Sequence, residues 1–179
     1  MIYELDKDYF VRALAEDDLN GPYPGWFEDQ DVCRYSSHGK FFKSKNYFRE
    51  YLAALDREDR VVWAICHKGD GHVGNVSLLQ ISVINRTAEF AIIIGDRRHW
   101  GKGVGRMAGR ALMRHAFEKL NLERIYCGTA ATNDGMKRLA VALGMTHEGT
   151  RRGQLFLEGS RVDVVEYGIL REDFARQSR

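Results

Sequence analysis

Apolar residues recur along this chain at two periods, and each period predicts a different kind of element. Between residues 104 and 120 they follow helical spacing, which indicates a long amphipathic helix. A second helix is predicted to begin near Ser44. A third covers residues 134–143, with Asn133 as its N-cap and Gly144 as its stop.

Short runs of β-branched and aromatic residues predict strands. A Gly69-Asp70-Gly71 turn joins Val61–His67 to residues 72–83, which pair with it as a hairpin. The next strand, Thr87–Ile94, ends in Ile92-Ile93-Ile94. Because this run is apolar at every position, we expect it to be buried on both faces, as in a central strand. Further strands are predicted at Tyr9–Ala13, at 124–129 and on both sides of Glu158-Gly159.

The order of these elements predicts the fold class. A hairpin region is followed by strand, helix, strand, helix and a second hairpin, which indicates an α/β fold with a mixed, mostly antiparallel sheet covered by helices on both faces. The length of 179 residues is that of one ordinary domain. We expect a single domain over 1–179, with its core at about 10–170 and a polar tail, 171–179, that frays.

Composition and charge exclude several classes of protein. The chain is 44% hydrophobic and 29% charged, which is typical of a globular domain and not of a disordered one. Lys and Arg number 27 against 25 Asp and Glu, and a net charge of +2 is too small to favour a nucleic-acid partner. The polar start and the lack of a long apolar stretch predict no signal peptide, no membrane partner and a cytoplasmic protein.

Cysteine and histidine spacing gives no support for a metal. Cys33, Cys66 and Cys127 form no CxxC pair, so we expect three reduced packing residues. His67, His72 and His115 show no metal-ligand spacing either, and we predict that the protein holds no metal.

One loop carries the strongest chemical signal. Residues 97–106 lie between the buried strand and the long helix and read Arg-Arg-His-Trp-Gly-Lys-Gly-Val-Gly-Arg. Alternating glycines let backbone N–H groups converge on an anion, and the start of the following helix adds its positive end. A Walker A loop is excluded because no Gly-Lys-Ser/Thr occurs, and a dinucleotide fingerprint fits poorly because no series of βαβ units follows.

The chain resembles the GNAT superfamily of N-acetyltransferases, within it the branch of ribosomal-protein N-terminal and spermidine acetyltransferases. The likeness runs from about Phe10 to Leu170. Its most specific parts are Ala88-Glu89-Phe90 with the isoleucine run, Trp100-Gly101-Lys102-Gly103-Val104-Gly105, and the segment from Asn133 to Leu143-Gly144-Met145. Two departures are Trp100, where the wider family has Gln or Arg, and a loop one residue longer than in spermidine acetyltransferases.

This resemblance implies the acyl-CoA N-acyltransferase fold and acetyl-CoA as cosubstrate. The diphosphate would lie on the N–H groups of residues 101–105, and the amides of the pantetheine arm would pair with the end of Thr87–Ile94, which must splay from the strand at 124–129. The implied cofactor-binding residues are Ile92, Ile94, Arg98, Trp100, Gly101, Lys102, Gly103, Val104, Gly105, Arg106 and Asn133. A homodimer is also implied, because dimers are common in this branch.

Glu89 is the candidate catalytic base. An amine attacks a thioester only when neutral, yet a free alkylamine has a pKa of about 10 and is protonated at pH 7. We expect Glu89 to be buried in its strand, where a carboxylate accepts a proton readily. The alternative is an ordinary strand glutamate paired with an arginine such as Arg86.

The position of the general acid is open. The tyrosine that many family members use falls on Ala140, and the serine alternative of the branch falls on Met136. The thiolate would then take its proton from water, from the amine itself or from a group such as Tyr126.

The acceptor side has an unusual charge pattern. Residues 14–33 hold six carboxylates and no Lys or Arg, whereas residues 34–49 reverse this balance. Trp26, Tyr35 and His38 lie in these segments and are candidate substrate-binding residues. Aromatic rings beside basic groups suit a nucleotide-linked amino sugar, and the acids suit a polyamine, while a solvated charged loop is the alternative to both.

Together these features predict an acetyl-CoA-dependent N-acetyltransferase that acts on a primary amine of a small molecule. The nearest alternative is an enzyme of the same fold that acetylates a protein N-terminus. A non-catalytic CoA-binding module is a second alternative, suggested by Ala140.

Overall fold

Eight strands form one sheet in the computed structural model, which describes residues 2–177 apart from the side chain of residue 56. The strands are β1 (Ile2–Glu4), β2 (Tyr9–Ala13), β3 (Val61–His67), β4 (Gly71–Ser82), β5 (Thr87–Ile94), β6 (Arg124–Ala130), β7 (Thr146–Leu157) and β8 (Ser160–Leu170). Their spatial order is β1-β2-β3-β4-β5-β6-β8-β7. Only β5 and β6 run parallel, so the predicted mixed, mostly antiparallel sheet is confirmed.

Four α-helices cover the sheet. They are α1 (Lys45–Ala53), α2 (Val104–Glu118), α3 (Asp134–Ala142) and α4 (Arg171–Arg176). Ser44 caps α1 by accepting a hydrogen bond from the N–H of Tyr47, and Asn133 caps α3 as predicted. Gly144 follows α3 with a φ of 82°, in the left-handed region that ends helices.

The sheet separates two hydrophobic cores, because successive strand side chains point to opposite faces. Trp63 and Ile65 of β3 face the main core, which takes residues from α2, α3 and α4. Val62, Ala64 and Cys66 face a smaller core formed with α1 and the aromatic residues of the segment before it. Helices on both faces of the sheet are therefore confirmed.

The structure differs from the predicted secondary structure at both ends of the described chain. Strand β1 was not predicted. At the other end, α4 replaces the expected fraying, because Phe174 is buried against the main core, with the Arg110 guanidinium 5.3 Å from its ring centroid. Residues 1, 178 and 179 lie outside the described part. None of the helices in residues 2–177 is long and apolar enough to cross a membrane.

A third correction concerns Ile92-Ile93-Ile94. Strand β5 does lie in the interior of the sheet, but these three residues are only half-buried. The reason is that one edge of β5 loses its neighbour here and opens into a cleft.

Candidate active site

The cleft forms where the two parallel strands part. Residues 87–89 of β5 pair with residues 124–126 of β6, and the pairing ends there. Beyond it lies an open cleft of about 1000 Å³ that reaches the start of α2 and the β7–β8 hairpin. The predicted splay of these strands is confirmed.

The open edge of β5 presents backbone groups to this cleft. The N–H of Gly95 donates to Val73 O of β4. In an antiparallel pair the backbone N–H and C=O groups of successive residues point to opposite sides of the strand, so those of Ile92 and Ile94 point away from β4. The indole Nε1–H of Trp100 donates to Ile94 O at 2.7 Å. Trp100 therefore covers the last carbonyl of the strand, and the edge at Ile92 remains the place where an extended amide chain can pair.

The glycine turn ends the cleft. Gly101 and Gly103 have φ values of 72° and 76°, a conformation that favours glycine. Helix α2 begins at Val104, and within the described residues no side chain caps it. Its first N–H groups thus point at the cleft mouth, which suits an anion. A Cβ on Gly105 would lie 3.4 Å from Leu139 and 3.5 Å from Ile92, so this helix packs closely on the cleft wall.

The basic residues of the turn do not all face the cleft. Arg98 does not line it, because its guanidinium is held by Asp96 at 2.6 Å and by Asp70 at 3.4 Å. A contact of Arg98 with the diphosphate stays a prediction. Lys102 and Arg106 are exposed beside the turn, and their role stays a prediction.

Glu89 lies at the vertex of the cleft. It is the last residue of β5 that pairs with β6, opposite Tyr126, and its side chain points away from the main core that holds Ala88 and Phe90. Glu89 is half-buried, not buried as expected. Its Oε2 accepts a hydrogen bond of 3.0 Å from Gln80. The alternative pairing with Arg86 is wrong, because Arg86 instead binds Glu123 at 2.6 Å.

Tyr126 is the nearest candidate acid in the strand register. It shares the face of Glu89, and burial together with the Glu89 charge raises the pKa of its phenol. Tyr126 therefore keeps its proton at neutral pH. Ala140 is fully buried in the main core, and Met136 is half-buried on the cleft wall. Neither side chain carries an acidic proton, so neither replaces the missing general acid.

Asn133 lines the cleft, but its side chain is engaged within the protein. Its Oδ1 accepts from the N–H of Met136 at 3.1 Å, and its Nδ2 donates to Thr129 at 3.0 Å. What the structure shows for Asn133 is the cap of α3, and its contact with CoA stays a prediction.

Two of the three candidate substrate residues line the cleft. Tyr35 donates its hydroxyl hydrogen to Thr132 O at 3.1 Å. His38 stacks edge-on against Phe27, and partial burial and the charge of Lys43 lower its pKa. Trp26 is 5% exposed and packs on His72 and Gly95, away from the cleft. Trp26 as a substrate contact is therefore wrong.

The sequence-based prediction missed most of an aromatic pocket that forms one part of the cleft. Its walls are aromatic and come from the segment before β3: Tyr23, Phe27, Tyr47, Phe48 and Tyr51. Three of these residues could be anticipated, because the helical spacing of α1 puts Tyr47, Phe48 and Tyr51 on one face of the helix. That face lines the cleft together with Asn75 and Ser77 of β4, a long-range arrangement that no local pattern indicates.

None of the three cysteines suits a covalent acetyl intermediate. All are buried, and burial raises the pKa of each thiol, that of Cys127 to about 12. A thiol with so high a pKa is not a nucleophile at neutral pH.

Comparisons with known proteins agree with this geometry. The acetyltransferase (GNAT) domain matches residues 9–146, and the chain belongs to this family. It is 34% identical over 106 residues to the spermidine N(1)-acetyltransferase of Vibrio cholerae, and 32% identical over 101 residues to the putative ribosomal N-acetyltransferase YdaF of Bacillus subtilis. These matches cover 59% and 56% of this chain, and only 61% and 55% of the two relatives.

The likeness to solved structures covers nearly the whole chain. The Vibrio cholerae spermidine N-acetyltransferase, solved in complex with CoA and spermine, superposes with a TM-score of 0.86 at 25% identity. The superposition covers 95% of this chain and 99% of that protein. The acyltransferase fold implied by the sequence is thereby confirmed.

Proposed function

We propose that this protein transfers the acetyl group of acetyl-CoA to a primary amine of a small molecule by direct attack. The observation that carries the proposal is the position of Glu89, at the vertex where β5 and β6 part. The glycine turn and the start of α2 end the same cleft, and the aromatic pocket opens beside Glu89.

The residues of the cleft fit a CoA ester. The N–H groups at 101–105 and the start of α2 would bind the diphosphate, and the edge of β5 at Ile92 would pair with the pantetheine amides. When bound there, acetyl-CoA supplies the thioester carbonyl that the amine attacks. The absence of a reactive thiol supports one-step transfer over an acetyl-cysteine route, since all three cysteines of the chain are buried.

Glu89 acts as the base in this proposal. Its carboxylate takes a proton from the incoming ammonium, directly or through one water, and leaves the neutral amine that can attack. The hydrogen bond from Gln80 orients Oε2 for this step. The departing thiolate takes its proton from water, from the amine or from the protonated phenol of Tyr126.

The lining of the pocket favours a nucleotide-linked amino sugar as the acceptor. Four cationic side chains line the cleft, Arg34, Lys40, Arg138 and Arg151, against two carboxylates, Asp31 and Glu89. Asp31 is paired with Arg97, and two of the cations are paired as well, Arg34 with Glu158 and Arg151 with Glu166. Aromatic walls stack on a base, and cations neutralise phosphates, whereas a polyamine would meet a single free carboxylate.

Two other acceptors are favoured by the relatives. A polyamine is supported by the 34% identity to a spermidine acetyltransferase, and a protein N-terminus by the 32% identity to YdaF. The free cysteines fit the reducing cytoplasm, which remains the expected compartment, and the homodimer also stays a prediction.

Thiol release separates these functions. The purified protein is incubated with acetyl-CoA and, in turn, a nucleotide-linked amino sugar, spermidine and an N-terminal peptide. Turnover that is fastest on the amino sugar and is lost in Glu89→Gln supports the proposal. Fastest turnover on spermidine or on the peptide assigns the other acceptor class. Tight binding of CoA without turnover on any amine would show a non-catalytic module.

A further inference from the structure

Three side chains from separate segments meet beside the carboxyl end of β5. His67 ends β3, and Asp70 lies in the β3–β4 turn. His99 is the last residue of a short 3-10 helix, Arg97–His99, that precedes Trp100. One donor atom from each lies within 4.8 Å of the other two. Nδ1 of His67 and Nε2 of His99 are 2.9 Å and 3.3 Å from the same oxygen, Oδ2 of Asp70.

His99 provides the second observation. Its side chain is 2% exposed, and its Nε2 has no hydrogen-bond partner among the described residues. A buried ring nitrogen without a partner is uncommon, and a bound ion or water is one explanation for it. Nε2 lies 3.3 Å from Oδ2 of Asp70 but outside hydrogen-bonding geometry, so a deprotonated Nε2 would place its lone pair near a second electron-pair donor.

Tyr9 holds His99 in the orientation that a metal ligand needs. The Tyr9 hydroxyl lies 2.7 Å from Nδ1 of His99, on the other side of the ring. In the tautomer where Nδ1–H donates to Tyr9, the lone pair of Nε2 faces the cluster. Metal-bound histidines almost always make such a bond through their second nitrogen.

His67 is less buried and makes two weak local contacts. Its Nδ1 accepts backbone N–H groups of Gly69 at 3.3 Å and Asp70 at 3.1 Å. Both donors lie at the exposed turn, so water satisfies them if the lone pair binds a cation instead. The site is reached from this side, since His67 and Asp70 are 25% and 34% exposed.

One of the two carboxylate oxygens of Asp70 is available to a cation. Arg98 approaches Oδ1 of Asp70 at 3.4 Å, which leaves Oδ2 facing the two imidazoles. Asp96 lies 3.8 Å from His99 Nε2 but is held mainly by Arg98. Two imidazoles and one carboxylate are a donor set typical of Zn²⁺.

We propose that His67, Asp70 and His99 form a binding site for a divalent transition metal, with Zn²⁺ as the best match and water as the fourth ligand. The metal would tie the β3–β4 turn to the segment that precedes the glycine turn. This replaces the expectation of a metal-free protein, which rested on spacing along the sequence, whereas His67 and His99 meet only through the pairing of β3, β4 and β5.

Calorimetry on the untagged, chelator-treated full chain tests the site with ZnCl₂ as the probe. We expect one Zn²⁺ per chain and a melting temperature that rises with Zn²⁺, because a ligand that binds only the folded state stabilises it. His67→Ala and Asp70→Asn should each weaken binding by more than about 100-fold, and Tyr9→Phe by about 10–100-fold. His147→Ala, an exposed histidine on β7, is the matched control and should bind as wild type does.

Spectroscopy of the Co²⁺ form identifies the ligands independently. We expect the visible bands of four-coordinate Co²⁺ without thiolate charge-transfer absorption, and their loss in His67→Ala. Circular dichroism of the two single variants checks that each folds; both positions are partly exposed, so both should. Absence of Zn²⁺ binding at micromolar free metal, or binding that is unchanged in folded His67→Ala and Asp70→Asn, would overturn the proposal.

Discussion

The side-chain amide of Gln80 donates a hydrogen bond of 3.0 Å to Oε2 of Glu89. This contact depends on an irregularity in β4, where the register with β5 shifts between Leu79 and Ser82 and Gln80 adopts a φ of 51°. A bulge of this kind re-aims a side chain. Here it turns Gln80 toward the carboxylate at the cleft vertex, which makes Gln80 a positioning residue for the proposed base.

Removing the amide should therefore slow the reaction modestly. We expect Gln80→Ala to lower kcat by roughly threefold to tenfold, the effect of about 0.7–1.4 kcal/mol, because the bond is exposed. KM for acetyl-CoA should stay unchanged, since Gln80 is remote from the glycine turn. Steady-state kinetics with Gln30→Ala as the control variant checks this, and an unchanged kcat would remove Gln80 from the mechanism.

Loss of the base itself should be more severe and should depend on pH. Glu89→Gln is expected to lower kcat/KM by about 10²–10⁴-fold at pH 7. The deficit should shrink as the pH approaches about 10, because the free amine is then neutral without a base. A pH–rate series for wild type and variant measures this, and a deficit that is the same at every pH would argue against proton transfer to Glu89.

The left-handed turn should be sensitive to a single methyl group. In Gly103→Ala the new Cβ meets open space, but the φ of 76° costs about 1–2 kcal/mol. We expect CoA to bind about tenfold more weakly, since the turn relaxes away from the conformation that converges its N–H groups. Gly149→Ala also places its Cβ in open space, without a left-handed φ, and should bind CoA normally in calorimetry. Equal affinities in the two variants would contradict a role for this conformation.

Trp26 should affect stability and not recognition. The indole packs against Tyr23 and His72 in the smaller core, so Trp26→Ala is expected to cost about 3–5 kcal/mol of unfolding free energy. Tyr35→Phe loses one exposed hydrogen bond and should cost less than about 1 kcal/mol. Urea denaturation of both variants tests the assignment, and a near-neutral Trp26→Ala would show that the side chain is not part of the core.

Stability at low pH should depend on Asp18. Burial alone would raise the pKa of Asp18, but hydrogen bonds from Arg12 and the N–H of Ala15, and the His72 ring 3.1 Å from Oδ1, outweigh it and hold the pKa well below its usual value. At pH 7 we expect Asp18→Asn to cost about 3 kcal/mol, the low end for a buried pair, because Arg12 remains partly solvated.

The sign of the pH effect follows from that lowered pKa. The stabilisation by Asp18 is complete above the unfolded pKa of about 3.9 and is lost as the pH falls toward the folded value. The difference between wild type and Asp18→Asn in denaturant unfolding should therefore be constant above about pH 5 and shrink below about pH 4. A difference that grows on acidification would show that Asp18 is not ionised in the folded protein.

Local patterns predicted the elements well because each was governed by contacts near in sequence. The start of α1 near Ser44, the cap at Asn133 and the strand Thr87–Ile94 depend on neighbouring residues and on burial periodicity, and they occur where the sequence placed them. The glycine turn was also visible, because a left-handed backbone requires a particular residue type.

Long-range pairing explains what the sequence did not reveal. The aromatic pocket joins α1 to β4, Gln80 reaches Glu89 through a bulge, and His67 meets His99 across three strands. Trp26 was misplaced for the same reason. An aromatic ring in a loop has several possible partners, and Trp26 packs on His72 of β4.

Titration of the protein with CoA and with pantetheine, which lacks the diphosphate, tests the central claim most directly. If the backbone N–H groups of residues 101–105 bind the diphosphate, calorimetry should show one CoA bound per chain. Pantetheine should then bind at least about 100-fold more weakly than CoA. No heat with CoA, or equal affinity for both compounds, would contradict the account.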